Sequence, residues 1–534
     1  MKLDEIQRRK SLHQDTVNNI ILHKSAKNTQ IVSFKSLLTD DGYEPEDCQE
    51  KKQKLLVWYS GPTTRVVRRT FADAGFISAP KESSDWHVCW GSPKGVQFYS
   101  TLAPGQYCNQ IPGSNSMGRK DTLATYIHAS KIRFPDQYDI IPKTFVLPQQ
   151  AEEMHEFFIQ NPKQFFIYKP AMGARGNGIE LTTGERSVSD KETAAVVQEY
   201  LRNPLILKGY KFDFRVYACV TSIDPLIVYV YENGIGRFAT SKYQDATEEN
   251  LNQTTMHLTN FSVNSKSDKF VNKPITNQED SDIIDLDMNF PSKWMLPDLL
   301  DFIQNNKDLL PKKFENADVK TIILNQIYEI VQKTFISCES RLYSFAHQAG
   351  TANSYPRRNF GMYGFDMILD DDLHMLLIEV NSSPATGTST ELDVLLKFPL
   401  LSDLLHLIGM EIGQDQNGKI IVPTLFYNEG KKQKYYESET KTVQSEFQLK
   451  ESERKLSFDS IQDIQNIDWS NLTDLERNCL LQIADEHTRT GEWTMVLPSA
   501  ADDYLQLFEN QRYLNVLCQK FLKDDIETIQ IWKP

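Results

Sequence analysis

The sequence predicts a mixed α/β protein of two or three domains, and three observations lead to this prediction. The chain has 534 residues, of which 40% are apolar, and this is enough for a large hydrophobic core. From about 146 to 245, short runs rich in Tyr, Val, Ile and Phe are separated by turn residues, as is typical of strands. From about 266 to 355, apolar residues recur at three- and four-residue steps, as is typical of helices.

The net charge and the spacing of the cysteines argue against several classes of function. Lys and Arg number 58 against 72 Asp and Glu, which gives a net charge of −14. This acidic balance argues against a nucleic-acid partner, because phosphate neutralisation needs clustered cations. An acidic protein substrate stays possible if positive charge is gathered in one cleft. The seven cysteines are scattered without a CxxC pair, so neither a zinc site nor a disulfide framework is predicted.

Membrane and secretion signals are not predicted. The N-terminus has no apolar core of the kind that signal peptides carry, and no run of about 18 apolar residues occurs in the chain. The sequence therefore predicts a cytoplasmic enzyme without a membrane partner, and we expect a monomer.

The order of the patterns along the chain predicts five segments. They are a polar leader (1–50), a small N-terminal α/β domain (51–145), a strand-rich central subdomain (146–245), a subdomain with helices and two late strands (246–427), and a charged linker with a helical extension (428–534). The run KLLVWYS is expected to be a strand, and FPLLSDLLHLIGM a helix. GRFATSKY is expected to be a short strand separate from PLIVYVYENG.

The stretch GFDMILDDDLHMLLIEVN predicts two strands joined by an acidic turn. If the turn holds an even number of residues, Asp366 would lie beside or near Glu379 across the hairpin. Asn381 shares the face of Glu379 because side chains alternate along a strand. Two carboxylates and an amide oxygen suit Mg²⁺ with bridging phosphates. The alternative is an acidic hairpin exposed to solvent.

The stretch FFIYKPAMGARGNGIEL predicts a strand that ends near Lys169, followed by a loop with Gly173, Gly176, Gly178 and Arg175. Glycines let backbone N–H groups approach phosphate oxygens, and the two cations would neutralise them. The loop matches neither a Walker motif nor GxGxxG. An ordinary flexible hairpin loop is an equal alternative.

In KFDFR, the charged residues Lys211, Asp213 and Arg215 alternate with Phe212 and Phe214, so one face of this strand is apolar and the other charged. A solvent-facing strand with weak cross-strand ion pairs would look the same.

Three further polar motifs complete the set of candidates. GRFATSKY contributes Arg237, and HLTN contributes His257, Thr259 and Asn260. GRKDTL contributes Arg119 and Lys120 at the start of a helix. A polar turn would equally explain HLTN. A helix N-terminus with Asp121 in its first turn would explain GRKDTL.

These motifs follow one another in an order that resembles the tubulin–tyrosine ligase-like family of ATP-grasp ligases. The resemblance runs from about residue 86 to about residue 410, with a fainter similarity in the last segment. It implies an ATP-grasp fold, in which the nucleotide lies between two α/β subdomains. A small N-terminal α/β domain and a C-terminal helical extension complete the expected architecture.

The resemblance also implies a role for each matched residue. The ATP site is expected to comprise Lys120, Lys169, Arg175, Gly176, Gln198, Glu199, Tyr200, Leu201, Lys211, Asp213, Thr259 and Asn260. Within it, Lys169 would contact the phosphates and residues 198–201 would form the hinge against adenine. Catalysis is expected to use Lys169, Arg215 and Arg237, with the two arginines on carboxylates of the amino acid or the acceptor. Asp366, Glu379 and Asn381 are expected to hold Mg²⁺.

The block from QEYL to RFATSKY is similar to the glutamate-adding branch of this family. The implied reaction joins free L-glutamate to glutamate side chains in the acidic C-terminal tails of tubulin, through an acyl-phosphate and with ATP and Mg²⁺. Soluble tubulin or microtubules would be the partner, and the cytoskeleton, a cilium or flagellum and its basal body the location.

Four alternatives stay open at this point. The amino acid could be glycine or tyrosine, the substrate could be another acidic protein, or the chain could be an inactive tubulin-binding module. Ala385 and Thr386 stand where the family commonly has a Ser-Leu pair, which leaves the acceptor preference open.

Overall fold

The computed structural model describes residues 15–17, 20–24, 29–34, 55–81, 83–173, 176–183, 194–271, 291–352, 357–413, 469, 472–501 and 504–524. Within these residues the chain forms four β-sheets with helices packed against them, which confirms the mixed α/β class. None of the described helices is both long and apolar enough to span a membrane.

The N-terminal part contains a three-stranded antiparallel sheet and a four-stranded parallel sheet. The first consists of β1 (Asp15–Val17), β2 (Ile20–Lys24) and β3 (Gln30–Val32). The second has the order β5-β4-β6-β7, formed by β4 (Leu55–Tyr59), β5 (Phe76–Ser78), β6 (Val88–Trp90) and β7 (Tyr107–Cys108). The helices in this part of the chain are α1 (Arg65–Asp73), α2 (Val96–Ser100), α3 (Asn115–Gly118) and α4 (Lys120–Arg133).

The prediction of a loosely attached leader over 1–50 is wrong for residues 29–34. Ile31 and Val32 are fully buried. The N–H of Val32 donates to the carbonyl oxygen of Met410, 3.1 Å away, so this strand is anchored to a segment almost 400 residues later. Such a partner is invisible to local composition, which is why the leader looked merely polar.

A third sheet, which is antiparallel, has the order β10-β9-β11-β8. Its strands are β8 (Thr144–Leu147), β9 (Phe165–Pro170), β10 (Glu180–Thr183) and β11 (Ala195–Glu199), and α5 (Ala151–Gln160) packs on it. Phe145, Phe158 and Phe166 form the centre of this small core.

The largest sheet has seven strands, with the central order β15-β14-β13-β16-β17. Two short strands pair outside this path, β12 with β13 and β18 with β14. The strands are β12 (Ile206–Leu207), β13 (Tyr210–Ile223), β14 (Leu226–Phe238), β15 (Lys293–Met295), β16 (Gly361–Leu369), β17 (Met375–Asn381) and β18 (Trp493–Leu497). The strands predicted between 146 and 245 are thus divided between this sheet and the four-stranded sheet β10-β9-β11-β8.

The prediction of two separate strands around ENGIG is wrong, because β14 runs without a break through Gly234 and Gly236. These glycines serve close packing rather than a turn. A Cβ atom at Gly236 would lie 2.4 Å from Cδ2 of Leu299, on the helix that crosses this sheet. At Gly234, a Cβ atom would lie 2.6 Å from the backbone carbonyl oxygen of Arg215 on the neighbouring strand, a contact that a side-chain movement cannot relieve.

Helices cover both faces of the seven-stranded sheet. They are α6 (Thr254–His257), α7 (Phe261–Asn264), α8 (Leu296–Asn305), α9 (Val319–Gln348), α10 (Glu391–Ile408), α11 (Asp474–His487) and α12 (Tyr513–Lys523). The predicted apolar stripe of α9 is confirmed, since Ile323, Ile327 and Val331 are buried. Helix α9 packs with Phe212 and Phe214 of β13, whereas α10 packs with Tyr217 and Cys219 on the opposite face.

The C-terminal segment packs on the body as predicted, but it is not purely helical. Strand β18 joins the large sheet beside β14. Buried Glu486 of α11 accepts hydrogen bonds from the hydroxyls of Thr221 and Tyr229, both at 2.9 Å. The predicted charged linker over 428–465 lies outside the described residues.

Candidate active site

One face of the large sheet carries a continuous row of charged side chains. Cross-strand partners lie side by side and share a face of a sheet, so the register identifies the members of the row. The paired positions are Lys293 with Arg237, Arg237 with Asp213, Arg215 with Asp366, and Asp366 with Glu379. The predicted hairpin and the predicted neighbourhood of Asp366 and Glu379 are both confirmed.

Two arginines and two aspartates at the centre of this row form a buried ion-pair network. Arg237 Nε donates to Asp213 Oδ1 at 2.8 Å, and its Nη2 lies 2.9 Å from Asp366 Oδ2. Arg215 holds the same Asp366 with both Nε and Nη2. Thr259 Oγ1 donates to Asp213 at 2.7 Å. The two positive and two negative charges balance, so the network itself supplies no excess charge.

The environment of Asp366 favours its ionised form. Burial alone would raise the pKa of Asp366, but the guanidinium groups of Arg215 and Arg237 outweigh burial and hold that pKa well below its ordinary value. Asp366 therefore stays a carboxylate at any physiological pH.

Lys120 connects three predicted motifs at the end of the row where Glu379 lies. Its Nζ lies 3.3 Å from Glu379 Oε2 and donates to the carbonyl oxygen of Gly173 at 3.0 Å. Asn381 Nδ2 donates to the second oxygen of Glu379 at 3.2 Å. The start of α4, the glycine loop and the acidic hairpin therefore meet at one place.

Two further cations, Lys169 and Lys211, are buried near this point without a carboxylate bonded to them. Lys169 Nζ donates to Gln198 Oε1 at 2.6 Å. Lys211 Nζ donates to the hydroxyl of Tyr200 at 3.1 Å and lies 4.2 Å from the centre of that ring. Among the described residues neither lysine forms an ion pair. Because a buried ammonium without a counter-charge is costly, this arrangement favours an anionic ligand.

The pKa values of both lysines reflect this shortage of negative charge. Burial lowers the pKa of Lys169 to about 8, although Glu379 and Asp366 act in the opposite direction. Burial lowers the pKa of Lys211 to about 7, against the influence of Asp213. Both groups thus lose their protons near neutral pH when no anion is bound.

Binding of ATP, the cofactor that the family resemblance implies, should therefore take up protons. A triphosphate beside the lysines favours their charged forms and raises both pKa values, so we expect an uptake of about one proton per ATP at pH 8. Affinity should weaken as the pH rises from 7 to 9, because more of that protonation must then accompany binding. Titration calorimetry in buffers of different ionisation enthalpy measures the uptake. Heats that do not depend on the buffer would contradict it.

The predicted hinge residues lie together along the end of β11. Gln198 Nε2 donates to Thr144 Oγ1 at 3.0 Å, and the Tyr200 hydroxyl lies 2.8 Å from Nδ1 of His257. Glu199 and Leu201 line a cleft of about 1210 Å³ on the side of α4. His257 belongs to the predicted HLTN motif, but the resemblance implied no role for it.

The predicted glycine loop is described in part. Arg175 lies outside the described residues. Gly176 has a φ of 76°, and a Cβ atom there would lie 3.3 Å from Val263 Cγ2 and 4.0 Å from Asn260 Oδ1. This part of the loop therefore borders the segment of Thr259 and Asn260, as expected if both enclose one ligand.

The predicted magnesium ligands offer a limited set of oxygens. Glu379 is half-buried, and Asp366 is shared by two arginines. Among the described residues, no group of three or more His, Cys, Asp or Glu side chains comes together for a metal ion. Mg²⁺ commonly takes one or two protein carboxylates and completes its shell with water and substrate phosphates. The two carboxylates and the amide oxygen of Asn381 fit that kind of site.

The sequence of this chain is similar to that of known proteins. The Tubulin-tyrosine ligase family matches residues 100–417. The protein named tubulin monoglutamylase TTLL4 of Homo sapiens is 29% identical over 483 residues, which cover 88% of this chain and 37% of that protein. Tubulin polyglutamylase ttll-4 of Caenorhabditis briggsae is 30% identical over 482 residues, with 88% and 73% covered. Tubulin polyglutamylase TTLL5 of Homo sapiens is 32% identical over 350 residues, with 65% and 25% covered.

Proposed function

This chain belongs to the tubulin-tyrosine ligase family, and on that premise we propose that it adds glutamate to glutamate side chains in the C-terminal tails of tubulin. The relatives described above are named tubulin monoglutamylases or polyglutamylases, which favours glutamate over glycine or tyrosine. Tubulin as substrate would place the protein at the cytoskeleton, including a cilium or flagellum and its basal body.

The observation that carries this proposal is the pair of buried lysines, Lys169 and Lys211, beside the acidic hairpin. With Lys120 they supply three positive charges against the one negative charge of Glu379 when all are ionised. This excess suits the polyphosphate of ATP. We propose an ATP-grasp arrangement in which the nucleotide lies between the four-stranded sheet β10-β9-β11-β8 and the seven-stranded sheet. The domain boundaries in this arrangement are those predicted from the sequence.

The proposed reaction has two steps. The γ-phosphoryl group of ATP moves to the side-chain carboxylate of the acceptor glutamate, which gives an acyl-phosphate and ADP. The amine of free glutamate then attacks the acyl carbon, and phosphate leaves as the amide bond forms. Such a transfer relies on positioning and charge neutralisation, so it needs no covalent protein nucleophile.

The residues of the candidate active site would act as follows. Lys120, Lys169 and Lys211 bind and neutralise the phosphates, with Gly176 and Arg175 in the loop that covers them. Residues 198–201 contact adenine, while Asp213, Thr259 and Asn260 border the ribose. Arg215 and Arg237 face the substrate carboxylates. Arg215 also forms an ion pair with Asp366, and Arg237 forms ion pairs with Asp213 and Asp366.

A magnesium ion would be held by Asp366, Glu379 and Asn381. When bound, it would supply positive charge to the phosphate oxygens during the transfer.

Mass spectrometry of tubulin tails tests the proposed function directly. Purified protein is incubated with tubulin, ATP, Mg²⁺ and an equimolar mixture of isotopically distinct glutamate, glycine and tyrosine. We expect only glutamate to be incorporated, with one ADP released for each glutamate added. Incorporation of glycine or tyrosine would instead support another branch of the family. Absence of any ATP-dependent addition would support an inactive binding module and overturn the proposal.

A further inference from the structure

His257 is a buried polar side chain close to the proposed nucleotide site, and the reaction described above gives it no role. It is the last residue of α6 and is 2% exposed. Both of its ring nitrogens are within hydrogen-bond distance of a polar atom. Nδ1 lies 2.8 Å from the hydroxyl oxygen of Tyr200, and Nε2 lies 3.1 Å from the carbonyl oxygen of Asn250. The ring therefore connects the loop before α6 with the residue that follows β11.

The surroundings of Nε2 determine the tautomer of His257. The carbonyl oxygen of Asn250 can only accept, and so can the side-chain oxygen of the same residue, 3.3 Å from Nε2. Two bonds orient the side chain of Asn250, because its oxygen accepts from the N–H of Thr247 and its amide donates to the carbonyl oxygen of Asp245. A neutral His257 therefore carries its proton on Nε2, and Nδ1 is an acceptor.

The protonation states of the two rings agree with this assignment. Burial lowers the pKa of His257, and the positive charge of Lys211 lowers it further, against the influence of the bond to Asn250. The imidazole is therefore neutral at pH 7. Burial raises the pKa of Tyr200 well above its ordinary value, so this hydroxyl keeps its proton.

The three side chains of His257, Tyr200 and Lys211 form a chain of hydrogen bonds with one direction. The ammonium form of Lys211 can only donate, and it donates to the Tyr200 hydroxyl oxygen at 3.1 Å. Tyr200 in turn donates its proton to Nδ1 of His257. If Nδ1 carried a proton, both neighbours would donate to the same oxygen, and the proton of Tyr200 would lose this acceptor.

This chain of bonds restricts the ammonium group of Lys211. The lysine side chain is 5% exposed, and among the described residues it forms no ion pair. A lysine has a long, flexible stem, so its charged end needs a partner to stay in one place. The Tyr200 hydroxyl is that partner, and the ring of the same residue lies 4.2 Å from Nζ. An apolar residue at 257 would fill space, but it would leave the Tyr200 hydroxyl without its acceptor.

We propose that His257 is a positioning residue for nucleotide binding, which acts through the Tyr200 hydroxyl to orient the ammonium group of Lys211 toward the phosphates of ATP. This inference rests on the proposed function and adds to it a residue that touches neither the nucleotide nor the substrates. The role requires an acceptor at the position of Nδ1 and no positive charge. An uncharged side chain with an acceptor at that position should therefore replace His257.

The dissociation constant of ATP, measured by titration calorimetry with Mg²⁺ but without tubulin or glutamate, tests this assignment. His257→Leu removes the acceptor, and we expect ATP to bind about 3- to 10-fold more weakly, the scale of one net hydrogen bond. His257→Asn places an amide oxygen near the position of Nδ1 and should recover most of the lost affinity. His155→Asn, at an exposed histidine of α5, is the matched control and should bind ATP as the wild type does.

Tyr200→Phe tests whether His257 acts through the hydroxyl. We expect this variant to lose as much affinity as His257→Leu, and the double variant to bind ATP no more weakly than Tyr200→Phe alone, because both changes break the same chain of bonds. The binding stoichiometry reports the folded fraction, so partial unfolding does not alter the dissociation constant. Should His257→Leu fail to fold, Tyr200→Phe and His257→Asn still decide the matter.

The outcomes separate this inference from the proposed function. Unchanged affinity in His257→Leu or in Tyr200→Phe, or a loss in His257→Asn as large as that in Tyr200→Phe, would overturn the positioning role while leaving glutamate addition intact. A wild-type protein that binds ATP with the expected pattern of variants but adds no glutamate to tubulin would support the positioning role and overturn the proposed function.

Discussion

Replacement of Glu379 by glutamine should lower kcat about 10²–10³-fold without unfolding the protein, which is the loss expected for one electrostatic stabiliser in an active site. Glutamine keeps the size and shape of the side chain, and its amide oxygen can still accept from Asn381. It removes the negative charge that faces Lys120 and one of the two carboxylates available to Mg²⁺. Folding should be spared because the side chain is 19% exposed and is not part of the hydrophobic core.

ADP release and glutamate incorporation measure this loss, and thermal melting of the same preparation measures folding. Glu248→Gln is a matched control, because Glu248 is exposed in the loop before α6. That variant should match the wild type in both assays. Normal turnover by Glu379→Gln would contradict the role of Glu379 as a Mg²⁺ ligand and the proposed position of the phosphates.

Replacement of Arg237 by glutamine should lower the free energy of unfolding by about 3–5 kcal/mol, because it leaves buried charge without a partner. Arg237 bonds to Asp213 and also touches Asp366. Arg215 can still compensate Asp366, but Asp213 would retain only the hydroxyl of Thr259. Asp213 is 3% exposed, so water cannot replace the lost guanidinium.

Urea denaturation followed by circular dichroism measures this change. The double variant Arg237→Gln, Asp213→Asn should recover part of the loss, because it also removes the orphaned charge. Lys320→Gln breaks an exposed pair with Asp301 and should cost less than about 1 kcal/mol. A cost for Arg237→Gln as small as that of Lys320→Gln would show that the central network is not a stabilising unit.

The sequence alone was sufficient for features that depend on local periodicity. Alternation in KFDFR placed Lys211, Asp213 and Arg215 on one face of a strand, and their alternation with two buried phenylalanines is observed. The turn DDD between two apolar runs predicted the hairpin, whereas the register shift between Asp366 and Met367 that brings Asp366 opposite Glu379 came from the structure. The stripe on α9 was equally readable, because each of these patterns repeats over a few residues.

Only the tertiary structure decided which charges compensate one another. Asp366 meets Arg215, which is 151 residues away in sequence, and Asp393 meets Lys293, which is 100 residues away. It also decided that Lys169 and Lys211 are buried with no acidic partner bonded to them among the described residues. Two glycines in β14 permit close packing instead of making a turn. Side-chain alternation is fixed within a strand, whereas register, burial and ion pairing depend on which distant segments lie beside that strand. The sequence therefore determined which residues face the site, and the fold determined which of them still need an anion.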